Sequence, residues 1–198
     1  MKALTFDKKA FSEMRKEMEV FDAAREQLIK DSRDILKLAK GAIYSVHRHD
    51  LKEAERQLEE AKAAIKKMNL LLKKDESLAS VGAYSEALEE YVEASCYFNL
   101  AKNKKLLSAK DLGVCTHTYL PGLCDLVGEL VRKAVNSSIK GDFDTALEIK
   151  DFVADIYEEL MMFDFRNIPA RKKFDTIKYS LEKLENLVLE LKLKQKIK

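Results

Sequence analysis

The chain has 198 residues, with 36 lysines and arginines against 34 aspartates and glutamates and a net charge of +2. That balance excludes a molecule drawn to nucleic acid by total charge alone, although a local basic patch stays open. With 35% of residues charged but only two prolines and six glycines, the composition excludes a turn-rich β protein. It points to an all-α, single-domain bundle over residues 1–198.

The start, Met1-Lys2-Ala3-Leu4-Thr5-Phe6-Asp7, lacks the apolar core of a leader. No stretch approaches the roughly 18 uncharged apolar residues of a membrane span, so the expected location is cytoplasmic, with no membrane partner. From about Asp7 to Arg48 there is no proline and one glycine, and Phe11, Met14, Met18, Phe21, Leu28, Ile35, Leu38, Ala42 and Ile43 recur near helical spacing. This predicts one very long first helix. Asp50 is placed to cap a second helix running to about Lys74. A third is expected from near Ser80 to Asn103, then a short piece from Ser108 that Gly113 stops. The fifth is expected from Tyr119 to Ser138, with Pro121 in its first turn, where a missing N–H costs little. Gly141 breaks the chain, Asp142 or Asp144 caps a helix to about Met161, and Pro169 opens the last, which ends in Lys192, Lys194, Lys196 and Lys198. An antiparallel bundle of six to seven helices follows.

Cys96, Cys115 and Cys124 are odd in number and lack CxxC spacing, as expected of reduced, mostly buried thiols. His47, His49 and His117 have no metal-ligand spacing and read as structural or surface side chains.

Two acidic motifs carry the chemistry. Glu90-Tyr91-Val92-Glu93 sets carboxylates at i and i+3, and Asp125-Leu126-Val127-Gly128-Glu129 at i and i+4. Either spacing puts a pair on one helix face. Yet with Leu88 as origin, Tyr91, Val92, Ser95 and Phe98 fall within about 80° of it, and Glu90 and Glu93 lie opposite with Glu86. With Leu120 as origin, the apolar stripe is Leu123, Val127, Leu130, Val131 and Ala134, and Asp125, Glu129, Arg132 and Asn136 lie opposite. Solvated polar faces are the default explanation. Against it, each motif sets like charges one turn apart, and Glu90, Glu93 and Asp125 have no cation three or four residues further on. Glu129 does have Arg132 and Lys133. Tyr97, an aromatic, shares the face of Glu90 and Glu93. Four such acids would suit one or two Mg²⁺ ions, which take oxygen ligands and could activate water for phosphodiester hydrolysis. A ferritin-like di-iron site needs Glu-x-x-His, which is absent.

The ordered set Glu90-Tyr91-Val92-Glu93-Ala94, Tyr119-Leu120-Pro121-Gly122-Leu123-Cys124-Asp125-Leu126-Val127-Gly128-Glu129-Leu130, Val135-Asn136-Ser137 and Gly141-Asp142-Phe143-Asp144-Thr145 resembles the translin superfamily. The similarity is stronger to its translin-associated factor X branch, and extends to Ser32-Arg33-Asp34-Ile35, His47-Arg48 and the run from Lys173 to Asn186. Two positions depart from the pattern. Thr118 stands where the family often has Asp, and Pro121 replaces a less constrained residue.

The resemblance implies a translin-like fold and a Mg²⁺-dependent endoribonuclease, with Mn²⁺ as a substitute ion, that cleaves single-stranded RNA. It assigns Glu90, Glu93, Asp125 and Glu129 as catalytic and metal-binding residues. It further implies a closed homo-octamer with the acids facing the interior, where a polar face becomes a lumen wall. The compact spacing between the motifs favours a free-standing homo-oligomer. Lys30, Arg33, Arg48 and Arg132 are the basic side chains expected to grip RNA. The alternative is a non-catalytic, translin-type oligomer that binds single-stranded RNA or DNA, and behind it a structural helical scaffold.

Overall fold

A computed structural model describes residues 5–73, 77–78, 81–166, 169–194 and 197. Among them are seven helices and no strand: α1 Lys8–His47, α2 Leu51–Leu72, α3 Gly82–Asn103, α4 Ala109–Leu112, α5 Thr116–Ile139, α6 Phe143–Met161 and α7 Pro169–Leu193. The expected boundaries at Lys74 and Ser80, and the tail residues Lys196 and Lys198, lie outside the described residues. No helix among the described residues is long and apolar enough to cross a membrane.

Local chemistry sets the helix ends. The Asp7 carboxylate accepts from the backbone N–H groups of Lys9 and Ala10, and Asp50 caps α2 by accepting from Glu53 N–H. Each satisfies donors that the first turn leaves without partners. Asp142, rather than Asp144, caps α6 by accepting from Thr145 N–H at 3.2 Å. A Ser108–Asp111 capping box starts α4, and Gly113 at φ +68° ends it. The fifth helix begins three residues earlier than expected, so Pro121 lies inside α5 rather than in its first turn. Its ring is buried there, and the missing N–H removes only the bond that would reach back to His117.

α1 turns into α2 through Arg48, His49 and Asp50, and the two helices pack together. α3 lies between α1 and α5 and also touches α2, while α5 packs on α6 and α7. This central placement buries the middle of α3: every residue from Tyr91 to Tyr97 is buried. The core starts well along α1, at Leu28, whereas Phe11, Met14 and Met18 stay 50–58% exposed. At Gly122 α5 and α3 approach closely. A Cβ there would stand 2.6 Å from the Glu89 carbonyl oxygen and 2.8 Å from Val92 Cβ.

Candidate functional site

The close approach at Gly122 brings the two acidic motifs side by side. Glu90, Glu93 and Glu129 line one cavity of about 280 Å³ together with Lys40, Ile43, Tyr44 and Arg132. Asp125 is absent from that lining, but its charge is felt at both Glu90 and Glu93. Glu90, Glu93 and Glu129 therefore meet between α3, α5 and α1, with Asp125 near enough on α5 for its charge to act on them.

Glu93 corrects the expectation of a solvated face. It is only 7% exposed, because α3 has neighbours on several sides and a single apolar stripe does not describe it. Tyr97, on the same face, is 1% exposed. Burial pushes the Glu93 carboxyl up to about 8, and the charges of Glu90, Asp125 and Glu129 push it the same way. Glu90 and Asp125 are also held above the usual carboxylate range, chiefly by burial.

Two of the acids find cations that lie far away in sequence. Lys40 of α1 stands 4.0 Å from Glu90, and Lys173 of α7 pairs with both Asp125 and Glu89. Glu129 contacts the His47 ring nitrogen Nε2 and lies 3.7 Å from Arg132. The expected partner Lys133 instead lies 5.9 Å from the centre of the Tyr97 ring. Glu93 has no ion-pair partner among the described residues. In the same set of residues no three His, Cys, Asp or Glu side chains stand close enough together to hold a metal ion. Ligation by these acids requires Glu129, Asp125 and Glu90 to turn from their present partners.

His47, expected as a structural or surface side chain, is half-buried and ties two elements together. Its Nδ1 lies 3.2 Å from the Tyr97 hydroxyl, and its Nε2 meets Glu129. With a neutral ring and the hydroxyl donating to Nδ1, the Nε2–H donates to the carboxylate. The two contacts together fix the ring's orientation and hold the Glu129 carboxylate in place.

The basic candidates divide. Lys30 and Arg33 are exposed on α1, and Arg48 is exposed just past its end. At 100° per residue they share a sector of about 80° with Lys37, Lys40 and Tyr44, which makes a basic stripe that runs past the cavity. Arg132 reaches the cavity from α5, its guanidinium 5.7 Å from the centre of the Tyr44 ring. Lys40, Tyr44, His47 and Lys173 were missed in the sequence. The 3-4-3-4 spacing of 30, 33, 37, 40 and 44 was a usable signal for two of them. Of the cysteines, Cys96 and Cys124 are buried and Cys115 is exposed.

A sequence profile described as the Translin family matches residues 23–195. The chain belongs to the translin family. It is 28% identical to the Mus musculus translin-associated protein X, across 93% of this chain and 78% of that protein. It is 31% identical to an uncharacterized protein of Methanocaldococcus jannaschii, across 89% of this chain and 82% of the other. Similarity to Gallus gallus translin, at 34% identity, spans 38% of this chain and 33% of that protein. Among solved structures, apo-NeC3PO superposes with a TM-score of 0.84 at 28% identity, covering 94% of this chain and 98% of that one. AfC3PO in a complex with duplex RNA gives a TM-score of 0.83 at 29% identity, with 93% and 97% coverage. The translin-like all-α fold expected from the sequence is therefore the fold observed, and the relatedness to translin-associated protein X runs nearly the length of the chain.

Proposed function

We propose that the chain is a Mg²⁺-dependent endoribonuclease that cleaves single-stranded RNA inside a closed homo-oligomer, with an octamer as the expected assembly and Mn²⁺ as a substitute ion. One observation carries this reading: a buried carboxyl, Glu93, sits among three others with no cation of its own. Burying an ionised acid among like charges is costly, so Glu93 must hold either a proton or a cation. The donor set fits a hard cation, which takes carboxylate oxygens and keeps several waters. Glu90, Glu93 and Glu129 would hold it, with Asp125 joining once released from Lys173. When bound, the ion would polarise a phosphoryl oxygen and lower the pKa of a coordinated water.

The remaining work belongs to the chain. Held by the Tyr97 hydroxyl, His47 orients Glu129. Lys40 offsets the charge of Glu90 and, with Lys30, Arg33, Lys37 and Arg48, offers a row of phosphate contacts along α1; such contacts position a strand without reading its sequence. Arg132 faces the same cavity from α5. The complex of AfC3PO with duplex RNA supports RNA as the ligand class. Resemblance to the factor X branch supports cleavage and the preference for single strands. In an assembly, the exposed apolar stripe of α1 would lie against a second copy.

The deciding experiment incubates labelled single-stranded RNA with Mg²⁺ or with EDTA, using the parent protein and its Glu93→Ala and Asp125→Ala variants. Cleavage is expected only for the parent with metal. Cleavage that survives in EDTA, or in both variants, defeats the proposal.

A second reading is a non-catalytic oligomer binding single-stranded RNA or DNA. It is favoured by the engagement of Glu90, Asp125 and Glu129 with Lys40, Lys173 and His47 rather than with one another. Steeply salt-dependent binding without cleavage would identify it.

A further inference from the structure

We propose that Tyr44 is a stacking platform for an unpaired RNA base beside the acidic cluster, which makes this chain select strands whose bases are free. The inference rests on the cavity being an RNA site. Tyr44 is 57% exposed and lines the same cavity as Glu90, Glu93 and Glu129. Its hydroxyl makes no hydrogen bond among the described residues. The ring thus stands open at the cavity mouth rather than packed into the core.

Its setting suits a nucleobase. The Arg132 guanidinium lies 5.7 Å from the ring centre, and Arg132 is itself 3.7 Å from Glu129. The ring is thus tied to the acidic cluster through a planar cation, while more than half of the residue stays open. Single-stranded RNA is recognised by stacking unpaired bases on aromatic rings and on arginine planes, and every base has a face that can stack. A base inside a duplex has both faces covered by its neighbours. Lys30, Arg33, Lys37 and Lys40 precede Tyr44 on the same face of α1, so a strand following those cations meets the ring next to the acids. Tyr97, the other aromatic beside the cluster, is 1% exposed and bonded to His47, so it has no free face.

The chain contains no tryptophan. Tyr44→Trp therefore introduces a single indole whose emission reports stacking directly. Titration with a short oligouridine strand in EDTA should quench it. The same strand annealed to its complement should leave it unchanged, as should the single strand added to a Tyr179→Trp variant, which carries its indole on α7. By fluorescence anisotropy, Tyr44→Ala should weaken single-strand binding about 5- to 100-fold. Tyr44→Phe should restore it, and Mn²⁺ affinity should not change.

If the parent binds the strand but Tyr44→Trp emission does not move, the platform is overturned and the RNA site stands. Quenching by the duplex to the same extent overturns the selectivity. If the parent binds no RNA, both the platform and the functional reading fall. Should Tyr44→Ala fail to fold, the tryptophan signal decides alone.

Discussion

Glu93 is the residue on which the site turns. Its folded-state carboxyl is raised to about 8 by burial and by three neighbouring acids. In the unfolded chain it titrates near the ordinary value of about 4.3. Between these values the folded state holds a proton that the unfolded state has lost, so stability falls as pH rises through that window. In EDTA, the parent should therefore lose unfolding free energy from about pH 5 to pH 8, on the order of a few kcal/mol. Glu93→Gln should flatten that part of the profile. Chemical denaturation of both proteins across pH measures the difference, and equal slopes would show that Glu93 is not shielded as described. His47 makes a separate prediction. If it orients Glu129 through Nε2, His47→Gln should weaken Mn²⁺ binding about 10- to 100-fold, the usual effect of losing an outer-shell partner. Tyr97→Phe should reproduce part of that loss, read by paramagnetic titration without RNA. Neither residue's role was legible in sequence, because their partners lie 82 and 50 positions apart. Glu93 did leave a trace: between Tyr91 and Ala101 it is the only charged residue. A helical wheel with one apolar face could not use it, because α3 is covered on several sides.

At the scale of elements, the site depends on how closely α3 and α5 approach. Two glycines on α5 separate this requirement from ordinary helix propensity. Alanine at Gly122 would place a methyl 2.6 Å from a backbone oxygen of α3, which cannot yield as a flexible side chain would. Gly122→Ala should cost about 1–3 kcal/mol through overpacking, and should push Glu90 and Glu93 away from Asp125 and Glu129. At Gly128 an added Cβ meets nothing within 4 Å. Gly128→Ala should raise stability by up to about 1 kcal/mol, since glycine is a poor residue inside a helix. Thermal unfolding of the two variants measures both effects, and a neutral Gly122→Ala would remove the reason given for the juxtaposition. Helix order and most boundaries were readable because their signals are local: Asp7, Asp50, Ser108 and Asp142 cap the helices they precede, and Gly113 and Gly141 follow helix ends. Pro121 was misplaced because nothing in Thr116-His117-Thr118 announces a helix start. Its cap residue, Cys115, makes no side-chain cap bond.

For the molecule as a whole, the first half of α1 leaves an apolar stripe uncovered. Phe11, Met14 and Met18 are exposed at helical spacing on a segment that precedes the start of the core at Leu28. Charge is distributed unevenly along the same segment. Residues 8–16 contain Lys8, Lys9, Arg15 and Lys16 against Glu13, a net +3, and residues 17–27 contain Glu17, Glu19, Asp22 and Glu26 against Arg25, a net −3. The sign changes within the apolar stripe. Two copies of α1 laid antiparallel about that point would bury the stripe and set each basic half against an acidic half. Such self-complementarity is what a two-fold interface requires. Replacing Met14 and Met18 together by lysine puts two charges in the middle of that contact, where they would be desolvated. Sedimentation at micromolar concentration should show the parent as a multiple of 22.7 kDa and the double variant at a smaller multiple, with helical content unchanged by circular dichroism. Reversing the charges of Lys8 and Arg15, which flank the stripe, should weaken the assembly, and reversing Glu19 and Asp22 in the same chain should restore it. A parent that sediments as a monomer would leave the apolar face of α1 without its proposed partner, and the acids of α3 and α5 without a lumen to face.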